Sequence, residues 1–224
     1  MGFDGDFLII GHRGAAGLAP ENTMKAFRRA FACGVDAVEL DVHAVDSRLV
    51  VIHDPTVDRT TNGRGRVSDY SVADLRNLDA GDGEAIPLLQ DVMQALPAEV
   101  GINIELKGPG TDALVAATSI DVANTLVSSR DLRRLGAFRR ARPDAMCAPV
   151  FRMPYPDMAG AARAVDAWSI NIRNDLATPQ RIGRLADAGF RVMVFTVNDR
   201  ERALELRRRG ASGVFSDFPD RVRI

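Results

Sequence analysis

Short runs rich in Val, Ile and Leu alternate along nearly the whole chain with stretches whose apolar residues recur at helical spacing. The runs read as strands at residues 7–11, 36–41, 101–105, 122–128, 145–150, 167–171, 191–196 and 212–216. Between them, helical patterns fall at 22–33, 72–78, 88–95, 112–120, 131–141, 156–164, 178–188 and 200–209. Local signals support several ends: Thr178-Pro179 reads as N-cap and first helical residue, and Gly189 and Gly210 stand just past a last turn. Strand–helix alternation marks a parallel sheet, and eight strands are the number that closes a TIM (β/α)₈ barrel. A closed α/β barrel is therefore expected, ahead of an open doubly wound sheet.

One stretch breaks the period. Residues 54–87, which follow a strand–turn–strand pattern over 39–54, are rich in turn formers and long for a βα connection. They are expected to form an excursion over the active-site mouth of the barrel. The chain's 224 residues suit one barrel, so the expectation is a single domain over 1–224.

A formal net charge of −1 offers no footprint for nucleic acid or an anionic membrane surface. The run Arg207-Arg208-Arg209 falls in a last helical turn, where cations complement the helix dipole. The N-terminal residues MGFDGDFLII place acids where a secretion signal needs bases, and no stretch approaches a membrane-spanning length. The cytoplasm is the expected compartment, without stable membrane association. Cys33 and Cys147 have no metal-ligand spacing and read as reduced structural thiols.

In barrel enzymes the chemistry lies at the carboxyl ends of the strands. The first strand ends in Gly11-His12-Arg13-Gly14, the second in Glu39-Leu40-Asp41, and the third in Glu105-Leu106-Lys107. Side chains alternate along a strand, so Glu39 and Asp41 point to one face, and Glu105 joins them from the neighbouring strand. Any one of these acids would read as a surface residue with an arginine partner. Three converging carboxylates instead call for a cation, and an all-oxygen set suits Mg²⁺ or Ca²⁺, with Mn²⁺ as a further option.

A hairpin folded about Asp46 would set His53 directly across from Glu39, returning a second imidazole to the rim that holds His12. Two imidazoles beside a metal site suit acid–base work at neutral pH, whereas His43 reads as structural. Arg13 and Lys107 bring positive charge to the same rim, enough to clamp a phosphate. Lys107 as a Schiff-base nucleophile ranks lower, because flanking acids would keep its amine protonated.

These residues stand in the motifs GHRG (11–14), ENT (21–23), VELDV (38–42), HDPTVDRTTNGRGRV (53–67), IPLLQDV (86–92), IELK (104–107), FTVN (195–198) and VFSDFPD (214–220). In that order and spacing the chain resembles the glycerophosphodiester phosphodiesterase family over essentially its whole length. The resemblance implies a TIM barrel that hydrolyses glycerophosphodiesters to sn-glycerol 3-phosphate and an alcohol. It implies a metal on Glu39, Asp41 and Glu105, acid–base roles for His12 and His53, and phosphate binding by Arg13 and Lys107. Phe195 would form an apolar substrate wall, and Asn198 would bond a glycerol hydroxyl.

Three positions depart from the family pattern. Phe195 stands where Trp is usual, the turn at 44–48 is one residue short, and Ser129-Arg130 replaces a usual Ser-Phe. Two other readings stand beside the first. One is a phospholipase D-like or phosphoinositide-specific enzyme acting on lysolipids, which the mostly polar 54–87 excursion disfavours. The other is a non-catalytic phosphoglycerol-binding barrel, against which both histidines argue. The expected partner is a small-molecule phosphodiester; the oligomeric state is left open.

Overall fold

The structure is a computed structural model, and it describes residues 2–223. Eight parallel strands close into a barrel: β1 (Leu8–Gly11), β2 (Ala37–Val45), β4 (Gly101–Leu106), β5 (Thr125–Ser129), β6 (Met146–Phe151), β7 (Ser169–Arg173), β8 (Arg191–Phe195) and β9 (Gly213–Ser216). Closure is made by β1, which pairs with β2 on one side and with β9 on the other. The antiparallel strand β3 (Arg48–Val51) extends β2 as a hairpin. Helices α1 (Met24–Ala32), α4 (Thr111–Ala117), α5 (Leu132–Ala141), α6 (Met158–Arg163), α7 (Pro179–Asp187) and α8 (Arg200–Arg208) fill the crossovers, and α2 (Val72–Arg76) and α3 (Leu89–Ala95) lie between β3 and β4. The expected barrel is the observed one.

Alternation within the strands decides what each layer buries. Val38, Leu40 and Val42 on β2 and Ile102, Ile104 and Leu106 on β4 face the helices in one apolar cluster. Leu8 and Ile10, Ala37, Leu126, Ala148, Met193 and Phe215 face inward, with Phe3 among them at the amino end. Higher on the same inward face, β2 turns from apolar to acidic, so that Glu39 and Asp41 are buried beside Asn103 and Glu105 of β4, their register partners. The carboxyl half of the interior is therefore polar by construction, which is where a barrel keeps its chemistry.

Caps read in the sequence are made. Thr178 accepts a hydrogen bond from the Arg181 amide ahead of Pro179, and Gly189, with φ of 88°, takes the left-handed turn that ends α7.

The structure corrects two details. Residues 122–124, expected as strand, form a 3₁₀ turn, because the Asp121 carboxylate accepts from the Ala123 amide and offers the backbone a local alternative. The hairpin register also differs from the expected one. Asp46 and Ser47 both adopt positive φ, 47° and 57°, so the turn centre lies between them rather than on Asp46. Val42 then faces Val51, and the Ile52 amide donates to the Asp41 carbonyl, which puts His53 at the level of Leu40 rather than Glu39. His53 reaches the rim because the chain leaves the strand after Val51, and not by cross-strand pairing with Glu39.

The excursion is better built than its polar sequence suggests. Val57, Val67, Leu75, Ala80 and Ile86 pack with Val45, Val50, Ile52 and Leu88 of the hairpin and α3 approach in a separate apolar cluster. Their spacing follows no strand or helix period, so the sequence alone did not show them as a core.

Candidate active site

A cavity of about 200 Å³ opens at the carboxyl ends of the strands, lined on one side by His12, Arg13, Glu39, His53, Asn103, Glu105 and Lys107. On its other side stand Val150, Arg152, Asn171, Arg173, Phe195, Thr196 and Phe215. Seven of the nine residues singled out from the sequence thus line one space. Asp41 is buried immediately beneath it, in contact with Arg13 and Lys107. Asn198 is exposed and does not line it.

The carboxylates of Glu39, Asp41 and Glu105 each offer an oxygen, all within 4.8 Å of one another. Lys107 Nζ lies 2.9 Å from Asp41 Oδ1 and 2.5 Å from Glu105 Oε1, and Arg13 Nε lies 3.3 Å from Asp41 Oδ2. Asn22 Nδ2 donates to Asp41 Oδ2 at 2.9 Å. Burial disfavours charge on Asp41, but Lys107 and Arg13 outweigh it and hold its carboxyl far below the usual range. Glu39 goes the other way: burial and the Asp41 carboxylate push its pKa well up, so it is the under-neutralised member of the set.

That imbalance, with three oxygen donors converging and Asn103 Oδ1 buried beside them without a hydrogen bond, fits a hard divalent cation. Nitrogen and sulfur donors, which would favour zinc, are absent from this cluster.

Both histidines are held by one ring nitrogen. His12 Nδ1 lies 2.7 Å from Asp217 Oδ1, and His53 Nδ1 lies 2.5 Å from Asp54 Oδ1. Each contact fixes the ring and leaves Nε2 as the ring nitrogen not engaged by that carboxylate. Burial alone would lower the His12 pKa, but the Asp217 hydrogen bond and Glu39 outweigh it, and the pKa is raised. Burial lowers that of His53, and Lys107 and Arg13 add to the effect against Asp41 and Asp54. His43 is engaged with the backbone: its Nε2 donates to the His53 carbonyl at 3.2 Å, outside the cavity lining.

The loop after β1 is shaped to deliver these groups. Gly14 has φ of 82°, and a Cβ there would stand 2.6 Å from the Ala26 carbonyl carbon. Arg13 and Asn22 themselves adopt positive φ, 50° and 58°, which costs about 1–2 kcal/mol at Arg13 and less at Asn22, whose side chain tolerates the left-handed region. The Arg13 amide thereby donates to Glu39 Oε2 at 2.8 Å while its guanidinium reaches Asp41 and Glu21.

A chain of charges ties the excursion to this loop. Arg59 donates through Nε to Asp54 at 2.6 Å and through both terminal nitrogens to Glu21 at 2.8 Å, and Glu21 accepts from Arg13 at 2.7 Å. One guanidinium thus braces the partner of His53 and the partner of Arg13. Asn198 does similar work for His12: its Nδ2 donates to Asp217 Oδ2, and its Oδ1 accepts from the Asp217 amide and Ser216 Oγ. It orients Asp217 from a position outside the cavity lining.

Sequence reasoning passed over Glu21, Asn22, Asp54, Arg59 and Asp217, although the motifs ENT, HDPTVDRT and SDFPD contain them. It also passed over Asn103 and Asn171, for which strand alternation was signal enough, and Arg152 and Arg173, which follow or end their strands.

Residues 12–221 match the model of the glycerophosphoryl diester phosphodiesterase family. The Bacillus subtilis protein YhdW is 36% identical over 95% of each chain, and a glycerophosphodiester phosphodiesterase of Bacillus altitudinis is 34% identical over 96% of each. A phosphodiesterase from Oleispira antarctica, solved in complex with the product sn-glycerol-3-phosphate, superposes with a TM-score of 0.88 at 29% identity, over 96% of this chain and 94% of its own. With fold, motif order and overall similarity in agreement, the chain belongs to the glycerophosphoryl diester phosphodiesterase family.

Proposed function

We propose that the protein hydrolyses glycerophosphodiesters to sn-glycerol 3-phosphate and an alcohol, with His12 and His53 as the acid–base pair. The observation that carries this reading is the meeting, on one cavity, of two histidines tethered through Nδ1 with a buried carboxylate triad. Arg13 and Lys107 neutralise the phosphodiester. One histidine takes the proton of the attacking hydroxyl while the other delivers one to the departing alkoxide oxygen. Glu39, Asp41 and Glu105 would hold one Mg²⁺ or Ca²⁺, which supplies stabilisation of negative charge on the phosphoryl group when bound. Phe195 gives the substrate an apolar wall.

No helix among the described residues is long and apolar enough to cross a membrane, and Cys33 and Cys147 are free thiols. The free thiols support a reading as a cytoplasmic enzyme kept in a reducing compartment. Offered glycerophosphoethanolamine with Mg²⁺ or Ca²⁺, the protein is expected to release glycerol 3-phosphate and ethanolamine, and to stop on addition of chelator. Release of phosphoethanolamine and glycerol would refute the assignment.

A second reading is favoured by one observation. Leu18, Met153 and Tyr155 are exposed, 64% in the case of Met153, and two of them follow β6 beside the cavity residue Arg152. Apolar groups in such a place suit an enzyme that meets lysolipid at a surface. A higher kcat/KM for micellar lysophosphatidylcholine than for the water-soluble diester would select it.

The bracing by Arg59 gives a separate expectation. Arg59→Ala should lower kcat/KM by roughly 10–10²-fold, on the scale that a misplacement of about 1 Å produces. Arg59 is half exposed, so thermal stability should barely move. Arg59→Lys should not rescue activity, because a point charge cannot serve two carboxylates as a planar fork does. Unchanged kinetics in Arg59→Ala would show that the excursion does not position the site.

A further inference from the structure

The two halves of the cavity differ in charge. The half formed by β1, the β2–β3 hairpin and β4 holds the carboxylates, with Arg13 and Lys107 matched to Glu21, Asp41 and Glu105. The half formed by β6, β7 and β8 presents Arg152, Asn171, Arg173, Phe195 and Thr196, and no carboxylate among the described residues lines it. Arg173 is covered from outside the lining by Asp175, through two contacts of 2.6 and 2.5 Å. Arg152 directly follows β6, is exposed, and makes no ion pair among the described residues. A third arginine, Arg130, follows β5 and lines a side opening next to Glu105 and Lys107. Cations thus end or follow three successive strands, β5, β6 and β7, and those of β6 and β7 line the cavity on the side away from the carboxylate triad.

We propose that the β6–β7 half of the cavity is the subsite for the departing alcohol, and that it selects alcohols carrying an anionic group, a carboxylate or a second phosphate, read by Arg152. The proposal rests on the glycerophosphodiesterase reading above and names the substrate class within it. With the phosphate and glycerol ends drawn to the carboxylate-and-histidine half, the remaining substituent lies against the arginines. A guanidinium not already committed to a carboxylate forks a carboxylate or phosphate through two parallel N–H donors. A cationic head such as choline meets like charge there. The Phe195–Phe215 pair, edge to face with centroids 6.3 Å apart, gives it an aromatic corner but no acid to complete a cage.

The test compares two diesters that differ by one carboxylate, glycerophosphoserine and glycerophosphoethanolamine, with glycerophosphocholine as the cationic reference. The wild-type protein is expected to show a kcat/KM for the serine diester at least ~10-fold above the other two, falling as salt is raised. Arg152→Gln should bring the serine-to-ethanolamine ratio to near one, and Arg152→Lys should restore part of it. Equal rates on all three diesters, a preference for choline, or a ratio that Arg152→Gln leaves unchanged would overturn the proposal while leaving the hydrolase reading in place. Cleavage of none of the three would overturn that reading and the subsite with it.

Discussion

Glu39→Gln should remove metal-dependent turnover, by roughly 10²–10³-fold or more, and leave the fold at least as stable as before. The reason lies in the asymmetry of the carboxylate cluster. Glu39 is buried beside Asp41 with its pKa pushed up, so without a cation the fold already disfavours its charge. A neutral amide of the same shape relieves that penalty, and its oxygen still accepts from the Arg13 amide. Asp41→Asn should behave differently. Its charge is held by Lys107 and Arg13, and removing it leaves these cations with only Glu105 and Glu21 as acidic partners, so this variant should melt earlier as well as lose activity. Calorimetric titration with Mg²⁺ or Ca²⁺, and the rise in melting temperature that each ion gives the wild type, check the assignment without reference to activity. Unchanged metal affinity in Glu39→Gln would remove Glu39 from the site.

His12→Ala and His53→Ala should each cost roughly 10²–10⁴-fold in kcat, the usual scale for a positioned acid or base. Losses of this kind act on the chemical step, so KM should change little by comparison. Asp217→Asn should reproduce part of the His12 loss by freeing the ring and its tautomer. His43→Ala removes a bond to the His53 carbonyl and nothing that lines the cavity, so its effect should stay within a few-fold. Near-normal turnover in either of the first two variants would end the pairing, and damage from His43→Ala equal to theirs would give that residue a direct role.

What could be read from the sequence was set by periodicity and by strand ends. Glu39, Asp41 and Glu105 were legible as a set because alternation of side chains is a property of any strand, and the structure gathers them as expected. His53 was brought to the right rim by a hairpin in the wrong register. A two-residue turn on Asp46 and Ser47 needs both in left-handed backbone, and neither residue announces that as Asn-Gly would. Position in a motif does not say which of several neighbours an amide will choose, so the bond from Asn198 to Asp217 was not legible in the sequence. Arg152 carried no signal at all, since an arginine after a strand is ordinary until its surroundings are known. The excursion hid its apolar cluster for a related reason, as Val57, Val67 and Leu75 meet through tertiary packing and not through a local repeat.

The two histidines also differ in when they acquire their partners. His53 is braced by the next residue in the chain, Asp54, so that half of the pair can form as soon as the hairpin does. His12 is braced by Asp217, 205 residues further on, just past the strand that seals the barrel. A chain emerging from the ribosome carries His12, His53 and all three acids long before it carries Asp217. Contacts of such sequence separation are among the slowest to form. The orientation of His12 therefore requires the barrel to be closed, whereas the contact that orients His53 is local to the end of the hairpin.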